Sequence, residues 1–208
     1  MLPPVYPIVD TASLARRGFG ARTFVEALIE GGARLLQYRH KGDFTRAVFE
    51  ELATIARLCR EVEAQLVVND RADLAVLVNA GVHVGQEDLT PAQVRRIVGA
   101  RMVGYSTHNE WQFTAPETES ADYLAFGPVF PTASKQNPDP VVGLAMLASL
   151  RQLGKSPLVA IGGVTRETAQ AVWRAGADSI AVIGDLLPES LTKESVRQRM
   201  EEWNQLPR

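Results

Sequence analysis

The sequence predicts an α/β protein folded as a single (β/α)8 TIM barrel over residues 1–208. Eight short apolar runs recur along the chain, and helical patterns separate them. That alternation builds a parallel sheet with helices packed outside it. The joints are short and no linker-like shift in composition interrupts them, which places all eight units in one domain. Eight such units close a barrel, here at the small end of its size range. An open doubly wound sheet is the alternative. It fits less well, because the first and last runs are fully apolar and carry nothing to protect an edge.

The elements follow in order. "VYPIV" from Val5 precedes "TFVEALIEGG", whose apolar residues fall at three- and four-residue spacing. "RLLQY" from Arg34 precedes "TRAVFEELATIARLCREVEA", and "QLVV" from Gln65 precedes "DLAVLVNAG". "VHV" from Val82 leads to "PAQVRRIVGA". "RMVGY" from Arg101 leads to "STHNEWQFTAPE", the weakest helical pattern, which Pro116 should end. "DYLAF" from Asp122 is followed by the long segment "GPVFPTASKQNPDP" and the helix "VVGLAMLASLRQLG". "PLVAI" from Pro157 with "RETAQAVWRAG", then "SIAVI" from Ser179 with "ESVRQRMEEWNQL", close the chain. The runs do not alternate cleanly, which suits strands covered on both faces. "EGGARLLQ", "NAGVHVGQ" and "RAGADSIAV" repeat one joint, each setting a glycine at the helix C′ position shortly before a strand.

Composition excludes several classes. The chain is 46% hydrophobic and 22% charged with a formal net charge of −2, so nothing points to nucleic acid. No apolar segment approaches the roughly 20 residues that span a bilayer. "MLPPVYPIVD" lacks the basic lead and apolar run of a signal peptide. A cytoplasmic protein without membrane contact is expected, and a homo-oligomer is left open. Cys59 is the one cysteine; it lies in a helical pattern and reads as a small core hydrophobe. Trp111 and Trp173 lie on helical patterns and are expected to pack inside. His83, within a short apolar strand, is expected in the core or behind the site.

A barrel of this type carries its chemistry on the loops after the strands. Asp10 follows the first run. Gln37, Arg39 and Lys41 follow the second at alternate positions, so an extended chain projects them to one side. Asn69 and Asp70 follow the third, and Gln86, Glu87 and Asp88 the fourth. Ser106, Thr107 and His108 follow the fifth, and Thr132, Ser134 and Lys135 the sixth. Gly162 and Gly163 follow the seventh, Gly184 the eighth. Singly, each is what a solvated loop or helix cap presents; Asp70, Asp73, Asp88 and Thr90 all suit N-caps. Together they put cations, carboxylates, amides and glycines on one face. Arg39, Lys41 and Lys135 suit a phosphate or diphosphate. Asp70 and Asp88 suit Mg²⁺, which is held by one or two carboxylates plus substrate phosphate oxygens. "IGGVT" and "VIGDL" match the phosphate cradle of backbone N–H groups found after the last two strands of such barrels. Two phosphorylated substrates, or one long one, fit two anion sites.

The stretches "VYPIVD", "GGARLLQYRHK", "VVNDRADLA", "GVHVGQEDL", "GYSTHNE", "DYLAFGPVFPTASK", "VAIGGVT" and "GADSIAVIG" resemble the thiamine phosphate synthase (thiamine-phosphate pyrophosphorylase) family, in family order from Tyr6 to Gly184. The resemblance implies a pyrimidine diphosphate site on Gln37, Arg39, Lys41, Asn69, Ser106 and Lys135. It implies Mg²⁺ ligands at Asp70 and Asp88, and a thiazole phosphate site on Thr132, Ser134, Gly163, Ile183 and Gly184. Three positions depart from the family's pattern: His40 stands for a more frequent glutamate, Ser134 for a threonine, and Gly184 for a serine.

The implied reaction joins two phosphorylated heterocycles to thiamine phosphate through a carbocation-like pyrimidine after diphosphate leaves. Arg39, Lys41, Lys135 and Ser106 then carry the chemistry, and the long loop around Lys135 excludes water. Rival functions fit parts of the pattern. A thiazole phosphate tautomerase of the same superfamily would use His108 as acid and base. An aldolase would use Lys135 as a Schiff base. A non-catalytic phosphate-binding barrel would keep the cradle alone.

Overall fold

The computed structural model describes residues 1–132 and 140–208. Eight strands form a closed parallel barrel in sequence order. They are Val5–Asp10 (β1), Leu35–Arg39 (β2), Gln65–Asn69 (β3), Gly81–Val84 (β4), Val103–Thr107 (β5), Tyr123–Phe126 (β6), Leu158–Ile161 (β7) and Ser179–Val182 (β8). Each falls within or beside its expected run, and β1 pairs with β8 to close the ring. Closure removes both sheet edges, so the fully apolar first and last strands need no protection.

The helices are Thr11–Arg16 (α1), Ala21–Glu30 (α2), Arg46–Glu61 (α3), Ala72–Leu77 (α4), Pro91–Val98 (α5), Glu110–Phe113 (α6), Gly143–Leu153 (α7), Arg166–Arg174 (α8) and Lys193–Asn204 (α9). None of them is long and apolar enough to cross a membrane. Their starts follow capping chemistry. Thr45 accepts from Val48 N at the head of α3, and Thr90 with Gln93 forms a capping box before Pro91. Helix α1 had no counterpart in the sequence reading. It has six residues, of which only Leu14 is buried, so it leaves no periodic apolar stripe.

Two apolar layers result. The larger lies between strands and helices and includes Phe24, Leu28, Leu52, Ile55, Leu147 and Trp203. The smaller fills the barrel with Leu2, Tyr6, Ile8, Leu35, Val67 and Tyr123 among others. Cys59 is buried, and that burial pushes its thiol up to about 12, which makes it the inert core residue expected.

Three expectations need correction or refinement. Trp111 is 77% exposed; α6 is a single four-residue turn with only Phe113 buried, too short to turn both aromatics inward. Pro116 does not merely end that helix but opens a short 3-10 turn over Pro116–Ser120. At the "NAG" joint the left-handed residue is Asn79, at φ 56°, while Gly81 already begins β4. Asn tolerates this conformation better than most residues. The other two joints do use Gly32 and Gly176, at φ 95° and 105°.

Candidate active site

The strands deliver their C-terminal residues to one mouth, where a cavity of about 530 Å³ opens. Among the residues assigned to the site by sequence, Gln37, Arg39, Asn69, Ser106, Thr132, Gly163, Ile183 and Gly184 line it. Lys41, Asp70 and Asp88 are not among its lining residues; they form a separate cluster beyond the ends of β2, β3 and β4. Ser134 and Lys135 lie outside the described residues.

Arg39 is fixed by strand register. Its Cα is the pairing partner of Asp10 across β1 and β2, and its Nη1 forms an ion pair with Asp10 Oδ2. Asp10 also accepts from Ser13 N at 2.8 Å and caps α1. Burial alone would raise the Asp10 carboxyl; the bonds from Ser13 and the Arg39 charge overcome this and hold it below the usual carboxylate range. The guanidinium therefore keeps its place at the cavity wall with other N–H donors left over, since a guanidinium carries five.

Lys41 Nζ lies 2.5 Å from Asp70 Oδ2. Asp70 has φ 64°, a left-handed conformation rare outside glycine and tolerated mainly by Asp and Asn. Its N–H bonds to the His83 carbonyl at 2.8 Å, which fixes the turn as β3 ends. Asp88 accepts from Gly85 N at 2.8 Å. Burial raises the proton affinity of Asp88, the Gly85 N–H opposes this, and the Asp70 carboxylate raises it further. Two carboxylates close enough to repel are what a divalent cation relieves. Among the described residues no group of three or more His, Cys, Asp or Glu side chains is placed to hold a metal ion, so the donor set fits an ion that takes its remaining oxygens from a substrate and water.

Across the mouth, Gly162 and Gly163 have φ 96° and 64°. A Cβ at Gly163 would sit 2.3 Å from the Pro131 carbonyl oxygen, so the backbone approaches more closely than any side chain permits. Phe130 N bonds to Gly162 O at 3.0 Å and ties the loop after β6 to the loop after β7. Gly184 opens a 3-10 turn over Gly184–Leu186. Asp185 pins that turn: it accepts from Trp203 Nε1 at 2.8 Å and from Arg166 Nε at 3.0 Å.

The buried Asn69 Nδ2 has no hydrogen-bond partner among the described residues, and Asn69 lines the cavity. An unanswered buried donor at a cavity wall suits a ligand acceptor. His108 also lines the cavity, with Nδ1 2.7 Å from the Gly127 carbonyl.

A family model described as thiamine monophosphate synthase matches residues 5–186. The chain belongs to that family. It is 46% identical to the thiamine-phosphate synthase of Koribacter versatilis over 99% of this chain and 96% of that protein. It is 41% identical to the thiamine-phosphate synthase of Chloroflexus aurantiacus over 92% of this chain and 88% of the other. The solved structure of thiamine phosphate pyrophosphorylase from Pyrococcus furiosus superimposes with a TM-score of 0.82 at 34% identity, covering 98% and 94% of the two chains. Thiamine monophosphate synthases are transferases, and the barrel expected from sequence is the fold observed.

Sequence reading did not single out Tyr6 and Asp185, which line the cavity, or Tyr123, whose hydroxyl meets His83, and it set His83 in the core or behind the site. His83 is 7% exposed yet lines the cavity, with Nε2 2.8 Å from Ser106 Oγ. Alternation within a strand shows which residues turn inward, but not that Tyr6, Tyr123, His83 and Ser106 from β1, β6, β4 and β5 meet.

Proposed function

We propose that the chain condenses hydroxymethylpyrimidine diphosphate with thiazole phosphate, yielding thiamine phosphate and diphosphate. Family membership supports the class of reaction. The observation that carries it to this chain is the arrangement of charge at the mouth. Arg39 lies at the cavity wall, and the Lys41, Asp70 and Asp88 cluster lies beyond the neighbouring strand ends. A glycine cradle belongs to the same cavity.

In this assignment the diphosphate lies against Arg39 and Lys41, with Lys135 as a third cation. Their charges stabilise the leaving group as negative charge develops on it. Asp70 and Asp88 would hold Mg²⁺, which when bound would neutralise further diphosphate charge. Gln37, Asn69 and Ser106 orient the pyrimidine. The backbone at Gly163, Ile183 and Gly184, with the hydroxyls of Thr132 and Ser134, holds the thiazole phosphate so that the ring nitrogen faces the pyrimidine methylene carbon. Positioning two reactants in one cavity supplies much of the rate, and no protein nucleophile is required. The whole chain acts as one catalytic domain in the cytoplasm on two small phosphorylated substrates.

Incubation of the purified protein with both heterocycles and Mg²⁺ tests this. Thiamine phosphate and diphosphate should appear in equal amounts, and neither should appear when one heterocycle is omitted. Isomerisation of thiazole phosphate alone, without condensation, would refute the assignment.

A further inference from the structure

Five side chains from five strands join into one hydrogen-bonded chain across the barrel interior. Gln37 on β2 donates from Nε2 to the Tyr6 hydroxyl on β1 at 3.1 Å. The Tyr6 and Tyr123 hydroxyls lie 2.9 Å apart. The Tyr123 hydroxyl, from β6, is 2.9 Å from Nδ1 of His83 on β4. His83 Nε2 is 2.8 Å from Ser106 Oγ on β5. Tyr123 stacks on His83 with ring centroids 5.6 Å apart and meets Tyr6 edge-on at 5.8 Å. Gly104 makes the room: a Cβ there would lie 2.1 Å from Tyr123 Cζ and 2.5 Å from His83 Nδ1. Both ends of the chain, Gln37 and Ser106, line the cavity, as do Tyr6 and His83 between them, while both phenol rings are buried.

The protons in this chain can be counted. Burial raises the proton affinity of both phenols, so each keeps its single proton. Tyr6 accepts from Gln37, so its own proton lies toward Tyr123. The Tyr123 proton then lies toward His83 Nδ1. A neutral imidazole that accepts at Nδ1 carries its proton on Nε2 and donates to Ser106 Oγ. The Ser106 hydroxyl proton is thereby turned away from His83, and Gln37 keeps its carbonyl oxygen and second N–H for the cavity. The reverse order is equally self-consistent, with every hydroxyl rotated, the amide turned over and the imidazole proton on Nδ1. A mixed order leaves a hydroxyl proton without an acceptor in the chain, or sets two protons or two lone pairs face to face, and either is costly for buried groups. The two ends therefore cannot change roles independently.

We propose that Tyr6, Tyr123 and His83 are positioning residues that set the hydrogen-bond polarity of Gln37 and Ser106 together. In the order set by the Gln37 N–H donating to Tyr6, the β2 wall offers a carbonyl beside an N–H and the β5 wall offers a hydroxyl donor. An aminopyrimidine presents the complement of the first pair, an amine donor beside a ring-nitrogen acceptor. That match rests on the assignment of Gln37 to the pyrimidine under the proposed function; the shared polarity does not.

Imidazole nitrogen NMR of the ligand-free protein tests the polarity without either substrate. The chain has three histidines, and comparison with His83→Asn assigns the resonance. Wild-type His83 should carry its proton on Nε2. Gln37→Glu places an acceptor-only carboxylate at the far end, turns the chain round and should put a proton on Nδ1. Adding Tyr123→Phe cuts the chain, so Gln37→Glu should then have no effect on Nδ1. Tyr6→Phe serves as the second cut if Tyr123→Phe does not fold. A wild-type proton on Nδ1, no response to Gln37→Glu, or an undiminished response after either cut would overturn the proposal. For the positioning role, Tyr123→Phe should raise KM for the pyrimidine diphosphate by about tenfold, the scale of one buried hydrogen bond left unmade. KM for thiazole phosphate should stay unchanged. An equal rise in both would mark a merely structural residue and overturn the role. Failure of the wild type to make thiamine phosphate would remove the substrate match and leave the NMR result standing.

Discussion

Lys41 Nζ and Asp70 Oδ2 lie 2.5 Å apart at the ends of neighbouring strands. A cation assigned to the diphosphate and a carboxylate assigned to the metal thus neutralise each other at the barrel mouth. A bound Mg²⁺-diphosphate would offer each a stronger partner. The Lys41 side chain is 53% exposed, so the pair contributes little to folding, about 0–1 kcal/mol.

Lys41→Ala should therefore separate activity from stability. We expect kcat/KM for the pyrimidine diphosphate to fall by about 10²-fold, the scale of one lost electrostatic donor, with the thermal midpoint nearly unchanged. Steady-state kinetics and a melting curve on the same preparation check both halves.

Lys135 follows β6 and lies outside the described residues. Its assigned role makes a definite demand. Lys135→Ala should lower turnover by on the order of 10²-fold while the protein stays folded. Near-normal turnover would remove Lys135 from the group that meets the diphosphate.

The two ends of the glycine cradle should respond oppositely to a side chain. A Cβ at Gly184 meets nothing within 4 Å, so Gly184→Ser adds a hydroxyl donor without a clash. It should lower KM for thiazole phosphate several-fold, on the order of one added hydrogen bond to a charged group. Gly163 has φ 64°, and its Cβ would strike the Pro131 carbonyl oxygen at 2.3 Å. Gly163→Ala should cost about 1–3 kcal/mol of stability through strain and raise the same KM. Denaturant titration together with KM measurements distinguishes the pair.

Asp10→Asn keeps a side chain able to cap α1 and removes the charge beside Arg39. Asp10 is 5% exposed and its partner 19%. The loss should be about 2 kcal/mol near neutral pH, less than for breaking a fully buried pair because Arg39 is partly wet. The folded carboxyl titrates below its ordinary range. Its contribution is thus complete above about pH 4 and fades as pH falls further through the folded value. Urea unfolding of wild type and variant should diverge at pH 7 and converge in acid.

Much of the fold was legible because each strand is an apolar run bounded by its own turn chemistry, and each long helix carries its own stripe. The eight strands and the seven clearest helical patterns all appear. What escaped is set by tertiary contact. Helix α1 is too short to show a period, and Trp111 sits on a single turn whose buried residue is Phe113. The candidate site was legible where one residue type states one chemistry: Arg39, Lys41, Asp70, Asp88 and the glycines. Even there, the pairing of Arg39 with Asp10 follows from strand register, not from spacing. The Tyr6–Tyr123 link joins residues 117 positions apart, and both read locally as ordinary apolar strand members. Only closure of the barrel brings them together.

Asp70 and Asp88, with Lys41 beside them, are assigned to one metal-bound diphosphate. Calorimetric titration of inorganic diphosphate with and without Mg²⁺, on wild type and on the Asp70→Asn/Asp88→Asn double variant, tests that assignment most directly. Mg²⁺ should tighten diphosphate binding to the wild type by at least about tenfold, in line with carboxylates that share an ion with phosphate oxygens. The double variant should lose that gain. An identical Mg²⁺ response in both proteins would contradict the account.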